Sequence, residues 1–163
     1  ILDIADMERL IRTRTGPVGV NVCGFRFGAA IAALRPAAAA PIRRLVMWDP
    51  VVNGACYIRE LERAHRQWLR GSFARATRED TAVQSLGFQT TDAFREEIEG
   101  IDLCRIRSAP SQEIMIVRQA GSQEHEMLCS HLLRLKAAVE TEVLPDGPLA
   151  PTIMRRVARW VLA

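Results

Sequence analysis

Apolar residues recur along this chain with two different periods, which predict helices alternating with buried strands. The first predicted element is an amphipathic helix near the N-terminus, which ends at Gly16-Pro17. Its predicted buried face consists of apolar residues at helical spacing, Ile4, Met7, Leu10 and Ile11. Short apolar runs rich in β-branched residues are typical of strands buried on both faces. Such strands are predicted at residues 18–23, 45–48 and 114–117, and the alternation of Val139, Thr141 and Val143 predicts a last strand.

Helical patterns lie between and after these strands. A small-residue helix is predicted at 29–33, a second at 127–137 and a third over 153–161. Strands separated by helices predict a parallel sheet with helices on both faces, which is an α/β fold. The 163 residues, 48% of them hydrophobic, are enough for one domain.

The middle of the chain has no strand pattern. A charged amphipathic helix at about 57–70 carries Ile58, Leu61, His65, Trp68 and Leu69 on its apolar side. A second helix, capped by Thr91 or Asp92, carries Phe94 and Ile98. We therefore predict an all-helical insertion over residues 54–108.

The turn at residues 24–28, Gly-Phe-Arg-Phe-Gly, is the most informative motif. A strand that reverses abruptly into a helix brings two backbones together and favours glycine on both sides of the tip. In hydrolases the tip is a nucleophilic serine or cysteine, and the following amide, here that of Phe27, helps to stabilise an oxyanion. Here the flanking residues are Gly24 and Gly28, and the tip is Arg26. A dinucleotide-binding turn is disfavoured because Gly-x-Gly-x-x-Gly is absent.

Several segments resemble the exosortase A system-associated hydrolase, type 2, a family of α/β-hydrolase-like proteins. They are Cys23-Gly24-Phe25-Arg26-Phe27-Gly28-Ala29, Leu45-Val46-Met47-Trp48-Asp49-Pro50-Val51-Val52-Asn53-Gly54, Tyr57, Arg59-Glu60-Leu61 and Leu86-Gly87-Phe88. The resemblance implies an α/β-hydrolase-like sheet in which the insertion is a cap. It also implies that the turn at residues 24–28 is the nucleophile elbow of that fold, here called the elbow, and similar members also have arginine at its tip. It further implies a hydrolase of the ester or thioester class, assigned on fold. Because the sequence opens inside a predicted helix, we expect residues 1–163 to be a partial domain that lacks the N-terminal strands.

A catalytic triad would also need a histidine after the last strand and an acid after a late strand. The loop at 145–151 contains no histidine, and the loop at 118–122 contains no acid, although Glu124 follows. Asp49 ends the second strand, where it is either a candidate acid or an ordinary turn residue before proline. The visible triad is degenerate.

Arginine stays protonated and cannot be a nucleophile or base at neutral pH. Beside a helix N-terminus, the charge of Arg26 needs a neutralising partner. That partner is either an internal acid such as Asp49 or a small anionic or acyl ligand. Two functions follow: a hydrolase of the ester or thioester class, or a non-catalytic binding or scaffold protein with the same fold.

Other candidate residues favour structural roles. His125-Glu126-x-x-Cys129 departs from the His-Glu-x-x-His zinc motif, so we predict a solvent-facing His125, a buried Cys129 and no metal site. His65 is predicted to pack, with a role over the elbow left open, since cap insertions often cover the site. Trp48, Trp68 and Trp160 are predicted core residues.

Composition excludes some partners. The net charge is +3 and the arginine runs are scattered, which disfavours a nucleic-acid surface. No apolar run reaches membrane-spanning length. The cysteines lack Cys-x-x-Cys spacing and are predicted to be buried thiols of a cytoplasmic protein, Cys23, Cys56, Cys104 and Cys129. No cofactor motif is found; a protein partner and the oligomeric state stay open.

Overall fold

The computed structural model describes residues 2–16, 19–35, 41–71, 84–85, 88–89, 91–144 and 151–163. The helices are α1 (Leu2–Thr15), α2 (Phe27–Ala33), α3 (Gly54–Gly71), α4 (Asp92–Glu99), α5 (Gln123–Arg134) and α6 (Pro151–Leu162), with a short 3-10 helix at Leu103–Arg105. The strands are β1 (Val20–Phe25), β2 (Ile42–Trp48), β3 (Gln84–Ser85), β4 (Phe88–Gln89), β5 (Ser111–Gln119) and β6 (Ala138–Leu144). The structure divides into two compact units, Asn53–Asp102 and the remainder of the chain.

Four strands form one parallel sheet in the order β1-β2-β5-β6. The central strands are apolar over Leu45–Trp48 and Ile114–Val117, and consecutive residues of a strand point to opposite faces. One face packs Val46, Trp48, Met115 and Val117 against Val157 of α6. The alternate residues Leu45, Met47, Ile114 and Ile116 are fully buried as well, so both faces of the sheet are covered. The predicted α/β class with a parallel sheet is confirmed.

Residues Asn53–Asp102 form the second unit, which contains α3, α4 and the antiparallel pair β3-β4. Gly54 lies so close to α4 that an added Cβ would be 1.6 Å from the carbonyl oxygen of Ile98. Thr91 is the N-cap of α4, accepting a 3.2 Å hydrogen bond from the amide of Phe94. The all-helical prediction is wrong, because two short strands flank residues 86–87, and this compact unit ends at Asp102 rather than at residue 108.

Helix α1 shows a different buried face from the predicted one. Met7 and Leu10 are 59% and 46% exposed, and Ile11 is exposed too. The buried position is Glu8, whose carboxylate lies 2.5 Å from Nη2 of Arg35. Periodicity locates the apolar face of a helix but does not show whether another element covers it; here an ion pair occupies the inward side. The side chain of Ile4 lies outside the described residues.

The predicted core tryptophans and cysteines are only partly buried. Trp48 is buried and Trp160 packs against the cluster around it, but Trp68 is 52% exposed because it lies beyond the buried side of α3. Cys23 is exposed on strand β1, at the edge of the described sheet. Cys56, Cys104 and Cys129 are intermediate, so the expectation of buried thiols is wrong. The four cysteines form no disulfide bond with one another.

Candidate functional site

Arg26 is the single residue between the end of β1 and the start of α2, and its backbone is strained. Its φ is 49° and its ψ is −118°, a region that side chains rarely adopt at a cost of about 1–3 kcal/mol. The surrounding backbone holds it there. Its N–H donates to the carbonyl of Trp48 at 2.9 Å, and its carbonyl accepts from Ala29 at 3.1 Å. Residues 24–28 therefore form a sharp strand-to-helix turn with Arg26 at the tip.

The two glycines of the turn have different roles. A Cβ on Gly24 would lie 2.5 Å from Cα and 2.6 Å from the amide nitrogen of Ala29, contacts that no side chain makes. Gly24 is therefore required by the close approach of β1 to α2. Gly28 is exposed, and a Cβ there would meet no described atom within 4 Å. The prediction that both glycines serve close packing holds for Gly24 only. Phe27 is half-buried at the first position of α2.

Asp49 neutralises the elbow. Its Oδ2 atom lies 2.8 Å from Nη1 of Arg26, with the two side chains 13% and 41% exposed. Strands β1 and β2 are adjacent and parallel, so their carboxyl ends place the residues that follow them side by side. Nε2 of Gln119, at the end of β5, is 3.5 Å from the same carboxylate oxygen. The structure thus brings Arg26 and Asp49 together as an ion pair at one edge of the sheet.

His125 joins this group from α5, where sequence reasoning did not place it. It is 6% exposed, and its Nε2 atom lies 3.0 Å from the carbonyl oxygen of Pro50 and 3.8 Å from Oδ1 of Asp49. A carbonyl oxygen only accepts, so Nε2 carries the hydrogen. Nδ1 is buried and has no hydrogen-bond partner among the described residues.

The prediction of a solvent-facing His125 is wrong. α5 begins at Gln123, four residues earlier than predicted, and its buried residues are His125, Leu128 and Leu132. That spacing of three and four residues was the available signal, because it puts His125 on the helix side that faces the core. Cys129 is only half-buried, and burial raises the pKa of its thiol.

His65 lies on α3, in the unit Asn53–Asp102, and is 6% exposed. Its ring stacks on Trp68 with a centroid distance of 6.0 Å. It packs as predicted from the helix pattern; a role over the elbow stays a prediction. Within the described ranges, no group of three or more histidine, cysteine or acidic side chains is arranged to hold a metal ion.

The arrangement supports ionic binding better than covalent catalysis. The tip presents a permanent cation, the neighbouring carboxylate is paired with it, and the imidazole is buried. The loop at 145–150, where a triad histidine is missing from the sequence, lies outside the described residues, and Glu124 is exposed on α5.

None of the described helices is long and apolar enough to cross a membrane. Comparisons with family models, with curated proteins and with solved structures find no match for this chain.

Proposed function

We propose that this chain is part of an α/β-hydrolase-fold protein of the exosortase A system-associated type 2 family, and that its elbow binds an acyl or carboxylate compound without cleaving it. One observation carries the proposal: Arg26 occupies a strained strand-to-helix tip and is paired with Asp49 at 2.8 Å. The family assignment is supported by the residues around the elbow and Asp49. A cytoplasmic location is supported by four cysteines that form no disulfide bond with one another.

The absence of cleavage follows from the chemistry of the residues at the tip. Acyl transfer needs a nucleophile beside a base, and a guanidinium is neither. His125 directs its N–H at the Pro50 carbonyl, and its other ring nitrogen is buried. His125 therefore offers no imidazole nitrogen to a proton of a bound substrate.

Carboxylate binding follows from the shape and exposure of the guanidinium. Its planar set of five N–H donors matches the two oxygens of a carboxylate. Asp49 contacts Nη1 and keeps the group oriented, while 41% of the Arg26 side chain faces solvent. A ligand carboxylate would share the guanidinium with Asp49, so we expect modest affinity that weakens as salt is added.

The test uses the full-length protein with a panel of esters and thioesters and with calorimetry of short-chain carboxylates. We expect no turnover, and saturable carboxylate binding that Arg26→Ala abolishes. Arg155→Ala, a substitution of an exposed arginine on α6, is the matched control and should bind normally. The proposal fails if Arg26→Ala binds like the unaltered protein, or if the protein turns over an ester or thioester and substitution of Arg26 or His125 abolishes that turnover.

The second candidate is an ester or thioester hydrolase, and the carboxylate-imidazole pair favours it. Asp49 and His125 lie 3.8 Å apart, and such pairs transfer protons in hydrolases. This function predicts turnover that His125→Ala abolishes and His131→Ala retains. His131 is the control because its Nε2 also contacts a backbone carbonyl, that of Ile106, at 2.9 Å.

A further inference from the structure

Helix α3 carries a row of four exposed arginines, Arg59, Arg63, Arg66 and Arg70. At 3.6 residues per turn, their spacings of four, three and four residues place them within an arc of about 60°. With a rise of 1.5 Å per residue, the row is about 16 Å long. The arginines therefore form a narrow, straight line of positive charge along one side of the helix, which we name the arginine row.

Most of the arginine row has no ionic partner in the described part of the chain. No described carboxylate lies within the 4.0 Å ion-pair distance of Arg63, Arg66 or Arg70. Nη2 of Arg59 contacts Sγ of Cys56 at 3.0 Å. Glu62, the acid on the side of the row nearest α4, is already paired with Arg95 at 2.5 Å. The hydrogen bonds of Arg95 to Glu62 and to Glu99 raise the pKa of its guanidinium.

The row is unfavourable for the helix in isolation. Like charges three or four residues apart repel across one helix face, and the row contains three such neighbouring pairs in succession. This mutual repulsion does not stabilise α3. An anionic partner that lies along the row would relieve this repulsion at each position.

We propose that the arginine row is a docking surface for an acidic helical segment of a partner protein. A helix with glutamates spaced by four, three and four residues presents a line of carboxylates of the same length, about 16 Å, as the row. Arginine suits this partner because its planar fork binds a carboxylate through two parallel hydrogen bonds. The inference concerns a surface separate from Arg26 and does not depend on the function proposed for the elbow.

The surroundings of the row favour a peptide over a nucleic acid or a membrane. Proteins that bind single-stranded nucleic acid place aromatic side chains among their basic residues to stack on bases. Interfacial helices insert apolar side chains beside their charges. The exposed aromatic residue of α3, Trp68, lies about 170° around the helix from the centre of the row. The residues next to the row are Ala55, Cys56, Glu62 and Gln67, which offer neither feature.

The test measures binding of a fluorescein-labelled synthetic helix with four glutamates at these spacings to the full chain by fluorescence anisotropy. We expect saturable binding that weakens with salt and is lost for a peptide in which glutamine replaces the glutamates. The triple variant Arg63→Gln, Arg66→Gln, Arg70→Gln should bind about tenfold more weakly, as expected for three exposed ion pairs.

The matched control is Arg134→Gln, Arg155→Gln, Arg159→Gln, which removes the same charge from exposed positions of other helices and should bind normally. Circular dichroism shows whether both variants keep their helices. If the row variant loses its helix content, single charge changes at Arg63 and Arg70 replace it, and each should weaken binding about twofold. Equal loss in the control overturns the proposal, as does tighter binding of poly(U) RNA or phosphatidylserine vesicles than of the glutamate peptide.

Discussion

Arg26 and Asp49 directly follow two paired strands, and both have a positive φ, 49° and 44°. The last residues of those strands, Phe25 and Trp48, are register partners and their rings stack at 5.3 Å. Two strained turns are thus held side by side by the sheet, and the 2.8 Å ion pair crosses between them. The amide of Asp49 donates to Val117 at 2.7 Å, which ties the second turn to β5.

Removal of the cation should destabilise the protein through the carboxylate it leaves behind. In Arg26→Ala, the mostly buried Asp49 loses its charged partner, and we expect the free energy of unfolding to fall by about 1–2 kcal/mol. This expected loss is smaller than for a fully buried ion pair because Arg26 is partly exposed. Urea unfolding of Arg26→Ala, Asp49→Asn and the double variant measures it. Strictly additive effects would show that the ion pair contributes no coupling energy.

The strain at Arg26 is testable separately from its charge. Glycine adopts a positive φ without steric cost, whereas alanine does not. Arg26→Gly and Arg26→Ala both remove the ion pair, so their difference in unfolding free energy reports the backbone. We expect the glycine variant to be more stable by about 1 kcal/mol. Equal stability of the two variants would show that the tip relaxes at little cost.

The two glycines of the turn should respond in opposite directions to alanine. Gly24→Ala forces a methyl group to within 2.5 Å of the Ala29 backbone, and we expect a loss of about 3 kcal/mol or more. Gly28→Ala adds a methyl group in open space within α2 and should be neutral or stabilising by up to about 1 kcal/mol. Thermal unfolding of both variants measures these two changes in stability. A stable Gly24→Ala protein would contradict the close approach of β1 to α2.

The sequence predicts the sheet and the turn better than it predicts the site. Apolar runs identify the buried strands β2 and β5 because burial on both faces leaves few polar positions. The elbow is identified because Gly24 is sterically required. The sequence leaves open whether Arg26 pairs with Asp49 or with a ligand. Only the order of the strands in the sheet makes the ends of β1 and β2 neighbours, and the sequence pattern does not give that order.

Two features could not be predicted from local pattern. The contact of His125 with Pro50 depends on where α5 begins, and helix boundaries are weakly encoded. The burial of Glu8 depends on Arg35, which lies 27 positions away in sequence. Both involve polar groups satisfied by distant partners, and hydrophobic periodicity carries no information about such pairs.

Alkylation of Cys23 should shift to more alkaline pH in the folded protein. The residue is exposed on β1, yet partial desolvation of the sulfur raises the pKa of the thiol. The reactive species is the thiolate, so a raised pKa leaves less of it at any given pH below that value. At pH 8 we therefore expect slower reaction with iodoacetamide than in guanidinium chloride, and a higher midpoint in the pH profile. Site-resolved mass spectrometry follows Cys23 in both states, and the midpoint is independent of steric hindrance. A folded-state midpoint at or below the unfolded one would contradict the desolvation of this sulfur.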